Sequence, residues 1–129
     1  MTTKLKIKSS LLLTGQILMA TEFIMVGIVK LTDSPVEVLQ YFPWTEDFSS
    51  IQIIIISIAE LCGGVGILFP MLHKKIRFLV PIAALELTIL MIGATYVQLG
   101  RGEKYIFPIM AAIVAFLIFL GYKKILKIK

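Results

Sequence analysis

Three observations predict an all-α integral membrane protein, an antiparallel four-helix bundle with a short helix in its outer loop. Four stretches of the 129-residue chain are long and apolar enough to cross a bilayer, 58% of all residues are hydrophobic against 16% charged, and most of the lysines lie to one side. Soluble domains carry about 45–50% apolar and about 25% charged residues. The composition therefore excludes disorder, a coiled coil and a disulfide scaffold, and it argues against a soluble core. Cys62 is the only cysteine, so no intrachain disulfide can form.

A membrane-crossing helix needs roughly 20 mostly apolar residues. Segments 11–31, 51–72, 78–99 and 105–122 meet that requirement, leaving one long connection (32–50) and two short ones (73–77 and 100–104). Short links imply antiparallel neighbours, and residues 1–129 read as one transmembrane domain. Lys4, Lys6 and Lys8 ahead of the first span resemble the start of a signal peptide. The apolar run continues past Ala20, however, and Leu18-Met19-Ala20 is a poor cleavage site, so an uncleaved helix is expected. In the long connection, Ser34-Pro35 reads as a cap and first-turn proline ahead of a short helix through Gln40. Tyr41-Phe42-Pro43-Trp44 and Phe48 follow. They suit either an interfacial anchor or a lid over a pocket between helices.

Charge placement sets the expected orientation. Lys4, Lys6, Lys8, Lys74, Lys75, Arg77, Lys123, Lys124, Lys127 and Lys129 fall on one side with no acid among them. Lys30, Arg101 and Lys104 fall on the other, with Asp33, Glu37, Glu46, Asp47 and Glu103. The positive-inside rule then makes both termini cytoplasmic. The net charge of +5 becomes a topology signal with contact to anionic lipid, and nucleic-acid binding is not expected.

Glu22, Glu60 and Glu86 lie inside the first three spans. Ionisable groups at membrane depth cost roughly 2.5–3.5 kcal/mol on insertion scales, which makes them functional candidates by default. Helical phase places Ser57, Gly63 and Gly64 on the face of Glu60, Ala83 and Gly93 on that of Glu86, and Gly15 on that of Glu22. Small residues permit close helix approach in lipid, so all three carboxyls are expected to point inward, toward a common cavity. The nearest cation is Lys30 at the outer end of the first span; its stem either bends inward or snorkels outward. Glu60, on the descending neighbour, is its better partner, because Glu22 lies about 12 Å away along the helix axis. The competing reading of the glutamates is plain interhelical hydrogen bonding.

Other chemistry is sparse. His73 sits among lysines with no ligand-spaced partner, so neither metal nor haem is expected. Cys62 reads as a buried small hydrophobe. Gly63-Gly64-Val65-Gly66 follows no strand and reads as helix packing rather than a phosphate loop.

The order and spacing of these features resemble the DoxX family and its DoxX-like relatives, four-span bacterial membrane proteins. The matching residues are Phe23-x-x-x-Gly27-x-x-Lys30-Leu31, then Tyr41-Phe42-Pro43-Trp44, then Glu60-Leu61-x-Gly63-Gly64-x-Gly66-x-Leu68, followed by a basic link and a third span with a carboxyl. The resemblance implies a bacterial cytoplasmic membrane location and an association with quinol and sulfur oxidation. It also implies accessory roles in redox-protective complexes, with animal relatives that look like receptor chaperones. Carried over by position, it points to Lys30, Glu60, Gly64 and Glu86.

Together these readings predict an accessory subunit without catalytic activity of its own. It would hold a quinone or lipid, or dock on a membrane oxidoreductase, and it could form a homo-oligomer. Glu22, Lys30, Glu60 and Glu86 would line the site, Tyr41, Phe42 and Trp44 its mouth, and Gly63, Gly64 and Gly66 the helix contacts. A small proton-coupled transporter is a second reading, although no half-repeat accompanies Pro70, Pro81 and Pro108. A structural assembly factor or chaperone is a third.

Overall fold

The computed structural model describes residues 3–122, with side chains from Ser10 onward except those of Met71 and Lys74. Lys123, Lys124, Lys127 and Lys129 lie outside the described residues, as do the side chains of Lys4, Lys6 and Lys8. The chain folds as α1 (Thr3–Thr32), α2 (Pro35–Tyr41), α3 (Ser50–Leu68), α4 (Leu79–Gly100) and α5 (Ile106–Tyr122). Short 3-10 turns occupy Pro43–Asp47, Phe69–Leu72 and Lys74–Ile76. Ser10–Thr32, Ser50–Leu68 and Leu79–Gly100 are each long and apolar enough to cross a membrane, and α5 adds 17 apolar-rich residues, near the lower length limit for a span. This is a membrane protein.

α1 packs on α3, α3 on α4, and α4 on α5, while α5 returns more lightly against α1. That order closes an antiparallel four-helix bundle. α2 and the turn after it lie across one end, termed the loop end below; the start of α1 and the end of α5 lie at the opposite end.

Local chemistry explains the boundaries. Ser34 accepts from the Glu37 amide at 3.3 Å and Pro35 takes the first turn of α2, where a missing N–H goes unnoticed. Ser49 and Gln52 form a reciprocal capping box that starts α3. The second span was expected to continue to Leu72, but α3 stops at Leu68. Pro70 cannot donate to the ladder and clashes with the preceding turn, so the chain tightens into a 3-10 turn. Pro81 and Pro108 sit in first turns of α4 and α5, where they are tolerated.

The core is small-residue packing. Ala20, Ala83, Ala84, Ala111, Ala112 and Ala115 are buried alongside Phe23, Ile67, Leu87 and Ile118. A Cβ added at Gly27 would meet the Ser57 carbonyl oxygen at 3.0 Å, and one at Gly64 would meet the Ala20 carbonyl oxygen at 3.1 Å. Backbone therefore touches backbone at two levels of the α1–α3 contact, as lipid-embedded helices favour. Gly66 lies against the Ala83 methyl of α4, 2.8 Å from where an added Cβ would sit.

Candidate functional site

The two close approaches set the register between α1 and α3. It leaves Lys30 about one helical turn nearer the loop end than Glu60, and the lysine stem bends inward to span the gap. Lys30 Nζ donates to Glu60 Oε1 at 2.7 Å. Both residues are buried, at 7% and 3% exposure. Their placement is favourable on two further counts. Lys30 occupies the last turn of α1, where the helix dipole favours a cation, and two aromatic faces cover it.

Those faces come from the connection. Phe42 ends α2, with its amide donating to the Val38 carbonyl, and its backbone leaves the helical region (φ −132°, ψ 78°), which the α conformation's clash with a following proline ring requires. The chain then turns back through Pro43–Asp47, held by the Thr45 hydroxyl donating to the Phe42 carbonyl at 2.8 Å. This brings the Phe42 and Trp44 ring centroids to 4.7 and 4.5 Å from Lys30 Nζ, within cation–π range. Phe48 braces Trp44 edge-on, 5.4 Å between centroids.

Beneath this roof, between α3 and α4, lies a cleft of about 320 Å³. Lys30, Glu60, Trp44 and Phe48 form its polar and aromatic end, and Ile56, Ile89, Leu90, Met91 and Val97 its apolar wall. A second recess of about 370 Å³, between α1, α2 and the start of α3, also reaches Lys30. The ion pair thus stands where the two spaces meet. An apolar space with few, convergent polar groups is the common form of a small-molecule site.

A clasp secures the roof. Arg101, which caps α4, contacts Asp47 at 2.6 Å, Glu103 at 3.1 Å and Glu46 at 3.4 Å. Hydrogen bonding to Asp47, then to Glu103, raises the guanidinium pKa further above its already high value. Four of the loop-side charges noted in the sequence (Glu46, Asp47, Arg101 and Glu103) are therefore one structural unit. Their opposite signs were visible in the chain; their meeting depends on how α4 ends.

The remaining candidates disperse. Glu86 lies beside Gly63, where an added Cβ would sit 2.6 Å from Glu86 Oε2. That oxygen is buried and has no hydrogen-bond partner among the described residues. Glu86 lines a separate groove with Cys62, Gly63 and Gly66, not the cleft under the roof. Tyr41 is 67% exposed and meets Phe42 edge-on; it lines neither space. Gly63 and Gly66 face α4 while Gly64 faces α1.

Two expectations require correction. Glu22 is exposed on the outer surface of α1 rather than directed into a shared cavity. The single glycine on its face, Gly15, borders Val114 of α5 near the other end of the bundle and does not draw residue 22 inward. Cys62 is also exposed, not buried. A polar contact that the sequence did not reveal ties α5 to α1: the Tyr122 hydroxyl donates to Gln16 Oε1 at 2.8 Å, and Gln16 is fully buried.

Fold and site together define a polytopic helical membrane protein with a buried ion pair beneath an aromatic roof. The sequence model of the DoxX-like family matches residues 14–121. The chain belongs to the DoxX-like family. No curated protein and no solved structure gives a significant match to it.

Proposed function

We propose that this protein is an accessory membrane subunit that holds a small apolar molecule with a polar head, of the quinone or lipid class, in the cleft between α3 and α4. The observation that carries this reading is the Lys30–Glu60 pair at the end of an otherwise apolar space. A bound carbonyl or phosphate oxygen would accept from Lys30, whose ammonium keeps donors beyond the one given to Glu60. The flat faces of Trp44 and Phe48 would border a ring or acyl chain. Docking on a membrane oxidoreductase is compatible with the same site, whose roof lies at the bundle surface. In this reading the location is the bacterial cytoplasmic membrane. Both termini are cytoplasmic, since Lys75 and Arg77 lie opposite the acid-rich loop end.

Mass spectrometry after gentle detergent purification tests the proposal. A small molecule retained by the native chain and lost from Trp44→Ala and Lys30→Met supports it. Retention of the same molecule by all three proteins, or of none by the native chain, overturns it. Cysteines introduced near Glu46 and Lys75 in a Cys62→Ser background test the orientation. An impermeant reagent applied to intact cells should label the first and spare the second.

A further inference from the structure

Glu22 poses a separate problem. It lies about one residue from the centre of the Ser10–Thr32 span, it is exposed, and it makes no hydrogen bond or ion pair among the described residues. Carboxyls at this depth nearly always face protein or water and find a partner. A single copy of the chain leaves this one toward lipid.

The surface around it has a definite period. Leu11, Thr14, Leu18, Thr21, Met25, Ile28 and Thr32 are all exposed, and they follow one another at alternating spacings of three and four residues. That spacing marks one continuous outer face of α1, and it is a spacing at which two helices can mesh as a left-handed pair. Leu18 and Met25 are 65% and 59% exposed, so the other spans leave this face uncovered. The threonine hydroxyls donate to carbonyls one turn back, each at 2.8 Å. This hides their protons within the helix and narrows the surface. Each oxygen still has lone pairs to accept with.

We infer that this face of α1 is the contact surface for a second copy of the same chain, packed parallel about an axis along the membrane normal. A second copy fits on two counts. It brings the same three-four period at the same depth. It also brings, at adjacent positions, both halves of a hydrogen bond: Glu22 of one copy flanks the seam beside Thr21 of the other. In its acid form the carboxyl donates to that hydroxyl oxygen; ionised, it accepts once the hydroxyl turns away from its own helix. The symmetry makes two such bonds, and no cation has to be supplied at mid-depth.

Cross-linking in membranes tests the surface, in a Cys62→Ser background. Thr14→Cys, Thr21→Cys and Ile28→Cys should form disulfide dimers readily. Ile54→Cys and Ile113→Cys, exposed on α3 and α5, should not. Glu22→Leu should weaken dimerisation about tenfold when measured by fluorescence energy transfer in vesicles, whereas Glu22→Gln should retain it. Equal cross-linking at all five positions, none at the α1 positions, or a different protein cross-linked there would overturn the proposal. Dimers unaffected by Glu22→Leu would overturn the role of the carboxyl.

Discussion

On its α1 side, α3 sets Gly64 against backbone and Glu60 against Lys30; on its α4 side, it sets Gly63 and Gly66 against Ala83, Glu86 and Leu87. Both interfaces combine glycines with one intramembrane glutamate. The first carboxyl receives a cation from the neighbouring helix and a roof of two rings. The second keeps an oxygen without a hydrogen-bond partner among the described residues. The difference shows that a glutamate in a span does not define a site by itself. What α1 contributes is a lysine in its last turn, near enough to bend down, and a connection long enough to fold back over it.

The most damaging change should be Lys30→Met, which strands the buried Glu60 carboxylate at a loss of roughly 3–5 kcal/mol. Lys30→Met with Glu60→Gln should recover much of it, measured as thermal unfolding in detergent. Additivity within about 0.5 kcal/mol would remove the contrast between the two interfaces.

Gly64→Ala should come next, at about 1–3 kcal/mol. Its new methyl meets the Ala20 carbonyl oxygen and the Ile24 amide nitrogen, which cannot turn aside. Gly63→Ala brings its methyl within 2.6 Å of Glu86 Oε2 and of Cγ of the fully buried Leu87, closer than any contact at Gly64, and should cost at least as much. A clearly smaller loss at Gly63 would mean that Leu87 and Glu86 turn aside and that α1 is the less yielding partner.

Glu86→Leu should be neutral or stabilising by no more than about 1 kcal/mol, since it removes an unsatisfied oxygen and breaks no bond. A large loss would show that Glu86 has a partner the other glutamate does not share. The smallest change in melting temperature is expected for Arg101→Ala, whose contacts reach exposed carboxylates. It should nonetheless red-shift the fluorescence of Trp44, the chain's single tryptophan, by loosening the roof. An unchanged spectrum would mean that Phe48 and Pro43 hold the ring unaided.

Much of this arrangement was legible in the sequence, for identifiable reasons. Hydropathy located the spans because lipid imposes a length, and Ser34-Pro35 located α2 because capping is local. Antiparallel order named Glu60 as the better partner for Lys30, but left open whether the lysine stem bends inward or snorkels outward. Glu22 was misplaced because helical phase names a face only when several small residues agree, and one glycine was insufficient. Gly63 and Gly64 are neighbours in sequence, yet they serve opposite helices, and composition cannot divide them. The Arg101 clasp and the Tyr122–Gln16 bond join residues 54 and 106 positions apart, which no local pattern foretells.

The ion pair joins the first and second spans in chain order, and this bears on how the protein is made. A helix bearing Glu60 alone enters a bilayer at a penalty of roughly 2.5–3.5 kcal/mol on insertion scales. Its partner is already in place when it arrives, because α1 precedes α3 during synthesis. The α1–α3 hairpin can therefore hide both charges before α4 and α5 have left the ribosome, giving the later helices a neutral surface on which to assemble.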